Sequence, residues 1–242
     1  MNPDKTEFIY FGSQVQLNKC VSDSICVCGD DIGRSRSIRY LGGYLDSEMT
    51  LKEHIKTKCA SAMANFNKIR QIRRFLTDEA CATLILGLVM SHIDYSNGLL
   101  TGVPDSTIYP FQRLQNMCAK LILKRSKFDS STASLRQLHW LPIRARIEFK
   151  TLTLMFQVVH GNAPSYLKDM IQRKAPGRQL RSTKTSDYDF VVPMNRNKTF
   201  GDRSFRTAGP VAWNSLPYEL KTISDYRLFK IKCKTHLFNK YF

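Results

Sequence analysis

The pattern of apolar and polar residues changes near residue 48. Before that point, short β-branched and aromatic runs are separated by turn residues, which predicts strands. The runs are TEFIYFG, VQLNK, SICV and SIRYLGGYLD. The acidic pair Asp30 and Asp31 follows Gly29 between two of these runs, as residues of a hairpin turn do. We therefore expect small antiparallel hairpins within residues 6–48.

After residue 50, apolar residues recur every three or four positions, as in amphipathic helices. The first helix is predicted at 50–76, with Thr50 as N-cap and Glu53 completing a capping box. The second, at 78–96, is apolar on nearly all sides and should be buried. Further helices are predicted at about 106–124, 143–160, 162–172, 203–216 and 225–240, with a long loop at about 173–201 and one strand at DFVVP. The predicted fold class is α+β, mainly α.

This pattern divides the chain into three regions: strands at 1–48, a helical region at 49–127, and a mainly helical region at 128–242. The net charge of +17 is uneven among them. In these three regions, in order, Lys and Arg residues number 5, 12 and 20, and Asp and Glu residues number 7, 5 and 8. A chain this basic favours a polyanionic partner, most commonly nucleic acid, and the alternative is a basic protein without such a partner.

One face of the first predicted helix is strongly basic. Seven Lys and Arg residues lie there against Glu53 alone: Lys52, Lys56, Lys58, Lys68, Arg70, Arg73 and Arg74. Most charged faces only keep a helix solvated, but this imbalance favours contact with phosphates. Such contacts would position a duplex without reading its sequence. Reversing Lys56, Arg70 and Arg73 to Glu should abolish them.

The sequence offers little catalytic or metal-binding chemistry. Cys20, Cys26 and Cys28 lack the second ligand pair of a zinc site, so structural thiols are the better interpretation. Adjacent aspartates such as Asp30 and Asp31 hold metal ions in polymerases, but that site needs a third carboxylate from an earlier strand. A turn is therefore preferred. We predict no catalytic residue, no metal ligand and no cofactor in this chain.

The cysteines and the apolar runs indicate where the protein is located. The seven cysteines, an odd number, are typical of free thiols in a reducing compartment. No apolar run is long enough for a bilayer and no signal-peptide core is present, so we expect an intracellular, nuclear or cytoplasmic protein without a membrane partner.

LHWLPI and VAWNSLP each place a Trp before a Pro turn, where a core position is favoured over base stacking.

Longer motifs resemble a known family. DKTEFIYFG and SIRYLGGYLDSEMTLKEHIKTKCASAMANFNKIRQIRRFLT resemble the end of the reverse transcriptase of non-LTR (LINE-type) retrotransposons. There a KTE strand follows the catalytic Y-x-D-D hairpin, a YLG hairpin called the primer grip comes next, and the helical thumb follows. DYSNGLLTGVP, LQNMCAKLIL, LHWLPIRARIEFKTLTL, GNAPSYL, RSFRTAGPVAWNSLPYEL and FKIKCKTHLF are similar to the region after the thumb. The resemblance covers almost the whole chain.

The resemblance implies roles for each region. It makes 1–48 the palm edge with the primer grip, 49–127 the thumb and 128–242 the region after it. The implied partners are an RNA or DNA primer–template duplex, bound mainly through its backbone, and the polymerase palm and fingers. The primer grip would be Tyr40, Leu41 and Gly42. The implied nucleic-acid-binding residues are Lys52, Lys56, Lys68, Arg70, Arg73, Arg74, Arg113, Lys120, Lys124, Arg125, Arg144 and Arg146.

Several parts of that family are not in this sequence. It has no Y-x-D-D, no earlier metal-binding Asp strand, no endonuclease domain and no C-terminal Cys/His knuckle. We therefore expect a fragment, from a truncated element or a partial gene model, that binds nucleic acid and does not polymerise alone. The intact enzyme of the family would use Mg²⁺. The alternative is a retained module that binds protein through its Trp-containing C-terminal helices.

Overall fold

The computed structural model describes residues 2, 5–20, 22–174 and 188–242, and helices dominate it. With two small hairpins near the N-terminus, the fold class is α+β and mainly α, as predicted. The α-helices are α1 (Gln14–Leu17), α2 (Lys52–Ile72), α3 (Asp78–Ile85), α4 (Ser91–Asp94), α5 (Asp105–Ile122), α6 (Ser131–Gln137), α7 (Ile143–Val159), α8 (Ser165–Asp169), α9 (Lys198–Gly201), α10 (Phe205–Asn214), α11 (Tyr218–Lys221) and α12 (Tyr226–Tyr241). Short 3₁₀ segments lie at Arg73–Phe75 and Asn97–Leu100, and a π-helical turn at Leu86–Met90.

Two separate antiparallel hairpins precede the long helices. Strand β1 (Ser24–Val27) pairs with β2 (Asp30–Gly33), and β3 (Ser37–Tyr40) pairs with β4 (Gly43–Asp46). The predictions of strands at SICV and at SIRYLGGYLD are confirmed. The second hairpin packs on the helices through β4 and α2.

The acidic pair Asp30 and Asp31 begins strand β2 and does not form the turn, which corrects the prediction. The turn consists of Cys28 and Gly29, whose φ angles are 56° and 95°. Two consecutive left-handed residues match the twist of a tight hairpin. The aspartates are therefore not needed to make the turn.

The predicted strands at TEFIYFG and VQLNK were wrong. In the described part of the first run, Phe8 forms a single isolated bridge with Arg34 and no regular strand. The second run contains helix α1, which a capping box starts. The Ser13 hydroxyl accepts from the Gln16 backbone N–H, and the Gln16 side chain accepts from the Ser13 N–H. A run this short carries too little periodicity to separate a strand from one helical turn.

Helices α2, α5 and the α3–α4 stretch enclose the first core. Helices α2 and α5 run in the same direction, since Cys59 lies beside Pro110 near their starts and Arg73 beside Leu121 near their ends. The α3–α4 stretch runs in the opposite direction to these two helices. Its Leu88 carbonyl oxygen accepts from the Asn65 amide of α2. The aromatic and aliphatic side chains between them are buried.

The predicted helix at 78–96 is interrupted and only partly buried. The π-helical turn separates α3 from α4. Val89 and Ile93 face the core, but Leu86 and Leu88 are exposed. The prediction of full burial was wrong because the neighbouring helices cover one side of this stretch only.

A second core lies between α7, α10 and α12. Phe156, Trp213 and Phe229 are fully buried there, with ring centroids 4.5 Å apart for the two phenylalanines and 5.8 Å apart for Trp213 and Phe229. The core position of Trp213 is confirmed. Helix α7 joins the two cores, because Ile147 packs in the first and Phe156 in the second.

The other long helices follow the predictions closely. The helices expected at about 106–124, 143–160, 203–216 and 225–240 are α5, α7, α10 and α12. DFVVP forms only a single bridge, between Phe190 and Arg173. Residues 175–187 of the predicted loop lie outside the described residues.

Candidate nucleic-acid interface

The turn between β3 and β4 holds the three residues implied to be a primer grip. Leu41 and Gly42 occupy the turn with φ angles of 46° and 76°, the left-handed pair that closes a tight hairpin. Tyr40 and Leu41 are 62% and 76% exposed. The turn thus presents an aromatic and an aliphatic side chain to solvent, and we call residues 40–42 the hairpin tip.

Tyr95, which follows α4, supports the hairpin tip. Its hydroxyl donates to the Leu41 carbonyl oxygen. A Cβ on Gly42 would lie 3.2 Å from the Tyr95 hydroxyl oxygen, so this approach favours glycine. The Lys58 ammonium lies 4.5 Å from the centre of the Tyr95 ring, a cation–π distance. The tip is thereby fixed to helix α2.

Asp46 at the end of β4 fixes the start of α2. Its carboxylate oxygens accept from the backbone N–H groups of Thr50 at 2.7 Å and Leu51 at 2.6 Å. Leu51, not Thr50, is the N-cap residue, with a φ angle of 60° and no capping side chain of its own. The predicted Thr50 cap was wrong because the Asp46 carboxylate supplies a negative charge at the helix N-terminus.

His54 packs under the same hairpin. It is fully buried, and its Nδ1 accepts from the Tyr44 backbone N–H at 3.3 Å. Its Nε2 has no hydrogen-bond partner among the described residues. Burial lowers the pKa of His54, and the nearby charge of Lys58 lowers it further. The imidazole is therefore neutral near pH 7 and acts as a structural acceptor.

Five exposed cations form a stripe along α2 and the neighbouring helix α5. Lys52 and Arg70 are five helical turns apart and Lys56 follows Lys52 by one turn, so these three share one side of α2. The exposed Arg74 lies in the 3₁₀ segment that follows α2. The Cys59 thiol of α2 lies beside the Pro110 carbonyl oxygen of α5, and Arg113 follows Pro110 by about one turn, which places Arg113 near this side of α2. The basic stripe consists of Lys52, Lys56, Arg70, Arg74 and Arg113.

No residue of the basic stripe forms an ion pair with a carboxylate in the part of the chain that the structure describes. The Arg74 guanidinium lies 4.6 Å from the centre of the exposed Phe75 ring. Lys68 is exposed as well, but helical periodicity turns it away from the stripe. Within the described residues, the stripe is thus a row of cations that no ion pair neutralises.

Arg73 does not lie on the exposed face, which corrects its prediction. It is only 8% exposed. Its guanidinium donates to the carbonyl oxygens of Leu121 at 2.9 Å, Ile122 at 2.8 Å and Leu76 at 2.7 Å, and to the Asp78 carboxylate. The last carbonyls of a helix lack intrahelical donors, and Arg73 supplies them for α5.

The other predicted binding residues are engaged by groups of this chain. Lys120 donates to the Lys127 carbonyl oxygen at 2.8 Å, Arg125 donates to Ser134 and Gln137, and Lys124, Arg144 and Arg146 pair with Asp78, Asp105 and Asp94. These contacts hold helices together and reduce the charge available to a ligand. The free basic surface is therefore smaller than the predicted one.

Two supporting residues, Asp46 and Tyr95, were not predicted. Asp46 could have been found, since an acidic residue between a strand and a helix is a common cap. Nothing in the sequence pairs Tyr95 with Leu41, 54 positions away. The tip and its support come together only in the fold.

Comparisons with models of known families, with curated proteins and with solved structures found no match to this chain. Within the described residues, no three His, Cys, Asp or Glu side chains are grouped as metal ligands. No described helix is both long and apolar enough to cross a membrane. The functional interpretation therefore depends on the geometry of the stripe and the tip.

Proposed function

We propose that this chain binds a nucleic-acid duplex through its phosphate backbone, as the primer-grip and thumb part of a LINE-type reverse transcriptase. One observation carries the proposal. Five cations that form no ion pair within the described residues line α2, the 3₁₀ segment that follows it and α5, and the same helix α2 is joined at its start to the exposed hairpin tip.

The length of the stripe suits a duplex. From Lys52 to Ile72 helix α2 rises about 30 Å, close to one turn of B-form duplex at about 34 Å. Lys52 and Lys56 lie near one end of α2, and Arg70 and Arg74 near the other. A duplex lying along α2 can therefore place two segments of its backbone against the two pairs.

Backbone contact of this kind does not require base recognition. A-form and hybrid helices are bound mainly through their shape, phosphates and 2′-hydroxyls. The stripe offers Lys and Arg heads on a rigid helix, which suits phosphates and carries no sequence code. We expect little sequence preference. Polymerisation is not part of this proposal, since the resemblance assigns its metal-binding aspartates to other segments of the enzyme.

The test is binding of a blunt RNA–DNA hybrid, followed by fluorescence anisotropy at several salt concentrations. The variant Lys56→Glu/Arg70→Glu/Arg74→Glu reverses three stripe residues; Arg74 is used because Arg73 is buried. We expect an affinity loss of at least about tenfold. The slope of log affinity against log salt should fall in magnitude by about 2 to 3, one for each lost phosphate contact.

A matched control changes the same charge elsewhere. Lys230, Lys232 and Lys234 are exposed on α12, and reversing all three to Glu also changes the net charge by six. Binding by the stripe predicts a much smaller loss for this control. Equal losses in both variants would mean that the total charge, and not the stripe, attracts the hybrid, and would refute the proposal.

The protein-interaction alternative, binding through the Trp-containing C-terminal helices, cannot use Trp213 as a contact residue. Trp213 is fully buried, so a partner would have to use other residues of the C-terminal helices. Binding that is insensitive to both salt and the stripe reversal would still favour it.

A further inference from the structure

A cavity of about 790 Å³ opens beside the hairpin tip. Its walls come from the β3–β4 hairpin, the segment 96–101, α7, α8 and the α9–α10 region. Ligand pockets in proteins typically measure about 300 to 1,000 Å³. The cavity is thus large enough for a small organic ligand or a short segment of a polymer.

The walls are mainly apolar, with aromatic rings at the rim. Leu99, Leu154 and Phe205 line the cavity. Tyr40 and Tyr166 also line it and are 62% and 61% exposed. Their rings are therefore accessible to a planar group, and aromatic faces bind unpaired bases by stacking.

Two cations line the same cavity. Lys150 is exposed, and no carboxylate pairs with it in the described ranges. Arg203 is half-buried and donates to the Met49 carbonyl oxygen at 2.9 Å, but its Nε is buried and has no partner in the described part of the chain. Asp46 acts on Arg203 electrostatically, although both of its oxygens already accept from the start of α2.

Gly102 makes room for Arg203. A Cβ at position 102 would lie 2.6 Å from the Arg203 Cγ, and the φ angle of Gly102 is 70°. Glycine adopts that angle freely, whereas other residues are strained there. The backbone thus accommodates the side chain that brings an incompletely partnered guanidinium to the cavity wall.

We propose that this cavity holds one or two unpaired nucleotides at the end of a bound duplex. A base stacks on Tyr166, the apolar walls surround it, and its phosphate lies against Lys150 and Arg203. An uncharged apolar ligand would leave Lys150 without an anion, and a small anion would leave the apolar walls empty. The inference rests on the proposed function, because the basic stripe brings the duplex end to the tip.

The test compares a blunt RNA–DNA hybrid with the same hybrid carrying a two-nucleotide overhang, placed at the 3′ end or at the 5′ end. The overhang contains 2-aminopurine, whose fluorescence falls on stacking. Stacking contributes about 1 to 3 kcal/mol per base, so one overhang should bind about fivefold tighter or more, with quenched fluorescence.

Variants of the cavity rim then assign the effect. Tyr166→Ala/Lys150→Ala should remove the overhang gain and the quenching while leaving blunt-hybrid affinity within about twofold. The control is Tyr109→Ala/Lys234→Ala. Tyr109 is also 61% exposed and lies outside the cavity, as does Lys234. Leu154→Trp, which fills the cavity from within, should act like the rim variant.

The outcomes separate the two proposals. Blunt-hybrid binding without any overhang gain, or a gain that the rim variant retains, overturns the cavity assignment alone. Loss of blunt-hybrid binding overturns the proposed function. In that case the cavity proposal is tested with a single-stranded tetranucleotide that contains 2-aminopurine. Quenching by the wild type and not by the rim variant supports the cavity proposal, and no quenching overturns it.

Discussion

Two adjacent arginines at the end of α2 should respond in opposite ways to the same substitution. Arg73 is buried and donates to three carbonyl oxygens and to Asp78. Arg74 is exposed and contacts the ring of Phe75. Methionine preserves much of the length of either side chain but removes its charge and its donors. Arg73→Met should therefore damage the fold, and Arg74→Met should weaken duplex binding.

The size of the stability loss in Arg73→Met follows from the carbonyl oxygens that lose their hydrogen-bond donor. In Arg73→Met the carbonyl oxygens of Leu121 and Ile122 lose the guanidinium donor. Leaving a buried acceptor without a donor typically costs about 1 to 3 kcal/mol. For a chain of this size that corresponds to a fall in Tm of roughly 2 to 12 °C. An exposed substitution such as Arg74→Met should change stability by less than about 0.5 kcal/mol.

Thermal unfolding followed by circular dichroism measures the first effect, and hybrid binding at several salt concentrations measures the second. Below its Tm, Arg73→Met should bind the blunt hybrid with nearly wild-type affinity. Arg74→Met should keep its Tm and lower the salt slope by about one unit. An Arg73 variant with normal Tm and weakened binding would show that Arg73 reaches the ligand, and the assignment of the two arginines would be wrong.

Two smaller perturbations examine the hairpin. The pKa of His54 is lowered in the fold, so the unfolded chain binds its proton more readily, and the contribution of His54 should be lost as pH falls below about 6.5. Urea unfolding at pH 7.5 and 5.0 should show a smaller stability difference for His54→Gln than for the wild type; an equal difference refutes this. Tyr95→Phe removes the donor to Leu41 and should speed amide hydrogen exchange in the tip about fivefold, as for a loss of about 1 kcal/mol. Unchanged exchange would contradict this role.

The sequence predicted the long helices well and the short elements poorly. Helices α2, α5, α7 and α12 repeat their apolar positions over several turns, so the pattern is unambiguous. Helix α1 has only four residues, and its capping box outweighs the β propensity of its residues. The β3–β4 hairpin was predictable because YLGGY supplies glycines at a turn flanked by β-forming residues.

Helical periodicity alone could have located Arg73 correctly. Phe66, Ile69 and Arg73 are spaced by three and four positions, so Arg73 continues the buried stripe of α2. Its charge suggested an exposed position, but charge does not decide the face that a helical residue occupies. Its partners are the last carbonyls of α5, some 50 positions later, and no local pattern indicates them.

The acidic residues define the interface as much as the basic ones do. Asp78, Asp94 and Asp105 pair with arginines that join helices, and those arginines are therefore withdrawn from the surface that composition suggests. Helix α2 has Glu53 as its sole acid, and no pairing of Glu53 with the stripe occurs in the described residues. Net charge predicts a polyanionic partner but cannot say which cations meet it. Which cations are available to a ligand depends on where the fold places the few carboxylates. In this fold the carboxylates lie away from one side of α2.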